Sequence, residues 1–187
     1  MTEATTATGK SESARYSALT RALHWLIAVH MIGLIALGWW MIDLSFYSSW
    51  YYTAPYLHKA FGVLVLLLGI IMLVWGWIKP RPPALSSHTV WEKTASRIAH
   101  AVLIISVLGI PISGYLFTTA NGEGVSFFSL FTIPALTQVS DTVRDWMISF
   151  HYYASYGLIG VIALHAGGAL KHHFVDRDHT LRRMIKG

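Results

Sequence analysis

Four long apolar runs, separated by short polar links, govern what this chain can fold into. They cover about residues 22–42, 57–78, 98–119 and 146–170. Each has about 20 residues or more, the length at which a helix crosses the hydrocarbon core of a bilayer. Charged residues make up only 12% of the chain, against roughly 25% in a soluble protein, and the mean hydropathy is +0.49. The predicted fold class is therefore all-α, an integral membrane four-helix bundle. With 187 residues it makes one domain, residues 15–187, behind a polar and flexible N-terminal tail, residues 1–14. The first apolar run is too long for the core of a cleaved signal and has no small-residue cleavage site behind it.

Local signals mark the ends of the runs. Trp25 lies near one end of the first, and Trp39 and Trp40 near the other, as interfacial aromatic belts do. Lys79-Pro80-Arg81-Pro82-Pro83 stops the second, because proline cannot continue a helix. Ser86 to Arg97 is polar and predicts a short helical turn. Pro111 and Gly114 predict a kink in the third helix. After the turn at Asn121-Gly122-Glu123-Gly124, the mixed stretch up to Arg144 predicts a short helix lying on the bilayer surface.

Lysine and arginine are unevenly distributed. Twelve of the 14 fall in the N-terminal tail, the middle link and the C-terminal tail, and only Lys59 and Arg144 in the other two links. The positive-inside rule then places both termini in the cytoplasm. The net charge of +5 is read as this topology signal. No basic stripe interleaved with aromatics suggests nucleic acid.

The chain has no cysteine, which excludes disulfides, thiolate zinc sites, iron–sulfur clusters and haem attached through a C-x-x-C-H motif. Any metal falls to the 10 histidines, to carboxylates or to a cofactor. His151 and His165 stand 14 residues apart with no charge between them. On a helix that is about 21 Å along the axis and about 40° short of four full turns, so both imidazoles face nearly one way. Histidine inside a membrane is costly and points to function. With the predicted topology, His24 lies at the depth of His165, and His58 at the depth of His151. Each pair can bracket one planar cofactor. Haem b suits this, with two imidazoles filling both axial positions of iron and one-electron transfer as the chemistry. The candidate metal ligands are thus His24, His58, His151 and His165. His100 also matches His165 in depth, so spacing alone leaves that partner open. His30 falls on another face of the first helix and reads as a polar group inside the bundle. Arg15, Arg21, Lys59 and Arg144 are candidate partners of haem propionates. Gly62, Gly69, Gly157, Gly160, Gly167 and Gly168 offer room for porphyrin.

Three segments carry a family resemblance: YSALTRALHW (16–25), LHKAFG (57–62) and FHYYASYGLIGVIALHAGGALKHHF (150–174), with DRDHTLRRM (176–184) in the tail. The chain resembles bacterial cytochrome b561, the four-helix dihaem membrane proteins related to the cytochrome b subunits of nickel–iron hydrogenases. The resemblance implies axial ligands at His24, His58, His151 and His165, and so favours His24 over His100. Some members resemble a superoxide:ubiquinone oxidoreductase, with a quinone site at the position of His172 and Ser17 nearby. Here Lys171 precedes the His-His pair, and Ala18 follows Ser17 where some members carry arginine.

The expected function is dihaem b electron transfer across a bacterial inner membrane, linked to ubiquinone and with superoxide as a possible donor. The alternative is a membrane-anchor cytochrome subunit serving a partner redox enzyme. A transporter using the histidines as ion ligands would have internal repeats and helices broken at the midplane, and the sequence has no repeat.

Overall fold

The computed structural model describes residues 15–186. The predicted tail lies outside the described residues, apart from its boundary at Arg15.

Helix α1 (Ala18–Ile42) begins where Ser17 adopts an extended backbone and its Oγ accepts the amide of Thr20 at 3.2 Å, satisfying one of the donors a helix start leaves unpaired. A turn-rich aromatic link follows, with Trp40 and Trp50 ring to ring at 5.8 Å. Helix α2 (Thr53–Ile78) ends before the Lys-Pro-Arg-Pro-Pro run. Helix α3 (Val90–Thr118) opens on a full capping box. Thr89 Oγ1 accepts from the Glu92 amide, and the Glu92 carboxylate accepts from the Thr89 amide at 2.8 Å. The helix passes through Pro111 as one element. Helix α4 (Asp141–Phe174) is capped by Ser140 and has 34 residues, about 51 Å, so it projects beyond a hydrocarbon core of about 30 Å. A short helix α5 (Thr180–Ile185) closes the chain. Four helices are thus long and apolar enough to cross a membrane. All four continue into the polar links, so the polar turn expected near Ser86–Arg97 is largely the first turns of α3.

One expectation is corrected. Between Glu123 and Ser140 there is no surface helix. Strands β1 (Val125–Phe127) and β2 (Phe131–Ile133) pair as an antiparallel hairpin with Val125 opposite Ile133. Phe128 and Ser129 both have positive φ, and the Leu130 amide bonds the Phe127 carbonyl at 3.0 Å, the geometry of a tight hairpin turn. The segment is rich in aromatic and β-branched residues, which suit a pleated strand better than a helix. The hairpin seats on α2 through Phe61–Phe128 (5.0 Å) and a Tyr56–Ser129 hydroxyl bond of 3.0 Å.

The bundle packs in chain order, α1 on α2, α2 on α3 and α3 on α4. Ile27, Met31, Val65, Ile110 and Leu158 form the buried centre. Gly69 allows the closest approach. A Cβ there would lie 2.7 Å from Val107 Cγ1. Helix α4 stands off from α1 and α2 and meets them through rings instead, including Trp39 against Tyr156 at 5.5 Å. Large apolar residues such as Val29, Leu67, Ile105 and Leu164 face outward, as a lipid-solvated surface allows.

Candidate functional site

The gap between α4 and its two distant neighbours holds the four histidines that the sequence singled out. At the end of the bundle where α2 and α4 begin, His58 and His151 face each other with ring centroids 6.1 Å apart. At the opposite end, where α1 begins, His24 and His165 face each other at 6.2 Å. Imidazole nitrogen binds a metal at about 2.0–2.1 Å. Two such bonds end to end, plus a ring radius of about 1 Å on each side, come to about 6 Å. Each pair is therefore spaced to take one metal atom between its rings.

The His58–His151 pair is set by its neighbours. His151 Nδ1 lies 2.9 Å from the Ile110 carbonyl and 3.2 Å from Ser113 Oγ. A carbonyl only accepts, so Nδ1 carries the proton and Nε2 is left with its lone pair. The His151 ring lies over Gly114, where a Cβ would come within 3.0 Å of it, and the His58 ring lies over Gly38, where a Cβ would come within 3.2 Å. Two glycines thus make the bed for two rings. Between the rings and Leu158 opens a cavity of about 440 Å³, lined almost wholly by apolar side chains, within the range of sites for sizeable organic ligands. His58 Nδ1 is buried and has no hydrogen-bond partner.

The His24–His165 pair has a third histidine beside it. His100 stands edge-on to His165 at 5.0 Å and lies 2.6 Å through Nδ1 from the Ser96 carbonyl, one turn back on its own helix. His24 Nδ1 is also buried without a partner. The choice between His24 and His100 that spacing left open is thus between two rings that both touch His165. His30 behaves differently. Its Nδ1 is 2.7 Å from the Leu26 carbonyl, and its ring leans on Phe61 at 5.5 Å.

Of the glycines expected to make room, Gly69 is a helix contact. Gly62, Gly157, Gly160, Gly167 and Gly168 have nothing within 4 Å of where a Cβ would stand, so they border open space. Among the candidate cations, Lys59 is exposed and borders the cavity. Arg15 is exposed. Arg21 donates to the Tyr16 carbonyl at 3.1 Å. Arg144 is taken up by its own helix, 3.0 Å from Asp141 and 3.3 Å from Asp145. Ser17 is occupied as the α1 cap and accepts from Trp75 Nε1 at 3.1 Å. His172 stacks on His88 at 4.2 Å and lies among Asp176 and Asp178.

A profile described as prokaryotic cytochrome b561 matches residues 15–187. The chain belongs to the prokaryotic cytochrome b561 family. The relatives of this cytochrome b561 include "Cytochrome b561 homolog 2" of Escherichia coli K12, 38% identical over 91% of each chain. They also include "Cytochrome b561 homolog 1" of the same strain, 27% identical over 91% of this chain and 97% of the relative. "Probable superoxide oxidase CybB" of Yersinia pestis is 26% identical over 91% and 96%. Membership makes the protein a membrane electron-transfer cytochrome and implies haem b. The residues present fit that group. The rings are spaced for an iron, glycine cradles and an apolar cavity flank them, and two buried ring nitrogens lack other partners.

Sequence reading missed Gly38, Ser113 and His88, and it took Gly114 only as a kink site; Gly38, Gly114 and Ser113 set the His58 and His151 rings. Gly38 and Gly114 could have been found. Gly114 falls four residues after Ile110, so it shares a helix face with the carbonyl that orients His151. His88 lies in a proline-rich link with no periodicity to place it.

Proposed function

We propose that this cytochrome b561 carries two haems b and passes electrons across the inner membrane to the quinone pool. The supporting observation is that two imidazole pairs, 6.1 and 6.2 Å apart, stand at opposite ends of one bundle and share α4. His58 and His151 would hold the outer haem, and His24 and His165 the inner one. Haem b held between two imidazoles would supply one-electron transfer.

The protein's own residues do the rest. Ile110 and Ser113 keep His151 in the tautomer that presents Nε2. Gly38 and Gly114 fix the depth of the rings, and the apolar lining keeps water out of the cavity. His100, held by Ser96, buttresses His165. Lys59, exposed at the cavity's edge, offers positive charge to a propionate or to an approaching anion. With both termini in the cytoplasm, this edge faces the outside.

The name of the Yersinia pestis relative suggests superoxide as donor. Two superoxide anions give two molecules of dioxygen and two electrons, and ubiquinone takes two electrons and two protons to quinol. Quinone would bind at the inner end near His172, seven residues or about 10.5 Å beyond His165, and Ser17 caps α1 at that same end.

The test is a reaction in two halves with the purified cytochrome. Superoxide should reduce the haem, read as the absorbance of its reduced form, and a short-chain ubiquinone should reoxidise it. Reduced haem that ubiquinone leaves reduced would rule out the quinone link and favour an anchor subunit for a partner enzyme.

A further inference from the structure

At the end of the bundle carrying the termini lies a polar cluster that the electron path does not use. It joins three segments: the link before α3 (His88), the end of α4 (His172) and the turn before α5 (Asp176, Asp178). Asp178 Oδ2 stands 3.0 Å from His88 Nε2 and 3.0 Å from His172 Nδ1. Asp176 Oδ2 stands 2.8 Å from the same His172 nitrogen. The donor atoms of His88, His172 and Asp178 lie within 4.8 Å of one another, so a small closure would bring them onto one ion with bonds of about 2 Å, whose ligands stand at most about 4 Å apart.

Two observations point to a cation there. First, His172 Nδ1 is buried and has no hydrogen-bond partner, although two carboxylate oxygens lie at contact distance. The oxygens sit off the direction in which an N–H would point, so proximity is achieved without a hydrogen bond. Second, carboxylates gather there: Asp176, Asp178 and Glu92 surround His172 and Lys171, and Lys171 pairs with both Asp176 and Glu92. Asp178 Oδ1 accepts the Thr180 amide at 2.7 Å, and Oδ2 is the oxygen turned towards both imidazoles.

We propose that His88, His172 and Asp178 form a divalent transition-metal site of the zinc class, with its remaining position open to solvent. Two imidazoles and a carboxylate are a borderline donor set that suits zinc and disfavours magnesium and calcium, which take oxygen shells. The ion would tie the C-terminal segment to α4 and to the link ahead of α3. This goes beyond the electron-transfer reading but shares His172 with the quinone proposal, so it is tested without quinone or donor.

The experiment is a calorimetric titration of tag-free, haem-loaded protein in detergent with zinc chloride at neutral pH, repeated with magnesium chloride. One zinc per chain is expected, with no saturable magnesium binding. His88→Gln keeps a polar group beside Asp178 and should weaken zinc at least tenfold, and Asp178→Asn should do the same. His179→Ala, at an exposed neighbouring histidine, should leave binding intact. The haem spectrum and melting temperature of each variant report whether it is folded. Hydrogen exchange over residues 176–186 should slow on adding zinc. Absence of saturable zinc binding, or binding that survives both His88→Gln and Asp178→Asn in folded protein, would overturn the site and leave the cluster a purely polar dock.

Discussion

At the scale of single residues, the outer site depends on ring positions fixed to a few tenths of an ångström. Gly114 is the sharpest case, because a methyl there would stand 3.0 Å from His151 Cε1 and 3.2 Å from Nδ1. His151 cannot retreat without giving up the Ile110 carbonyl. Gly114→Ala should therefore lower occupancy of the outer haem while sparing the inner one, read as a fall in haem per chain from two towards one. The four histidines were legible in the sequence because a polar ring in an apolar run stands out and helical spacing converts to depth. The pairing across helices followed from depth alone. What depth could not settle was His24 against His100, because both rings do reach His165. The residues that orient the ligands were only partly legible: spacing puts Gly114 on one helix face with Ile110, but which ring lies against a glycine depends on the neighbouring helix.

At the scale of elements, the close contact of α2 with α3 and the cap of α3 carry separate predictions. Gly69→Ala places a Cβ 2.7 Å from Val107 Cγ1 and 3.2 Å from Leu108 Cδ2. Valine is stiff about its first side-chain torsion, so the helices must part, at about 1–3 kcal/mol. A lower melting temperature with an unchanged haem spectrum is expected. Thr89→Ala removes one side of the capping box and should cost about 1 kcal/mol. Hydrogen exchange should quicken first at the start of α3. The four helices were legible from hydropathy, whereas the hairpin was not. Its six apolar residues are too few to show a helical or strand period clearly, and its stability rests on a seat on α2 provided by Phe61 and Tyr56. The links also misled in a second way. Helix α3 begins at the Thr89 cap, well before its apolar stretch, because capping rather than hydropathy sets where a helix starts.

At the scale of the whole molecule, orientation and two-site architecture go together. Both termini should be cytoplasmic, and the hairpin should face outward. The chain has no cysteine, so single introduced thiols report sidedness cleanly. Glu123→Cys should react with an impermeant maleimide on intact spheroplasts, and Lys186→Cys only after permeabilisation. The reverse pattern would invert the proposed electron path. If superoxide is the donor, Lys59→Glu should slow haem reduction and flatten its dependence on ionic strength, because an attractive charge at the cavity's edge would be lost. The central claim is that two facing imidazole pairs each hold one haem. The most direct measurement is the haem content per chain of the wild type and of His58→Ala and His24→Ala, by the pyridine haemochrome spectrum of purified protein. Two haems in the wild type and one in each variant are predicted. One haem in the wild type, or none in either single variant, would contradict the account.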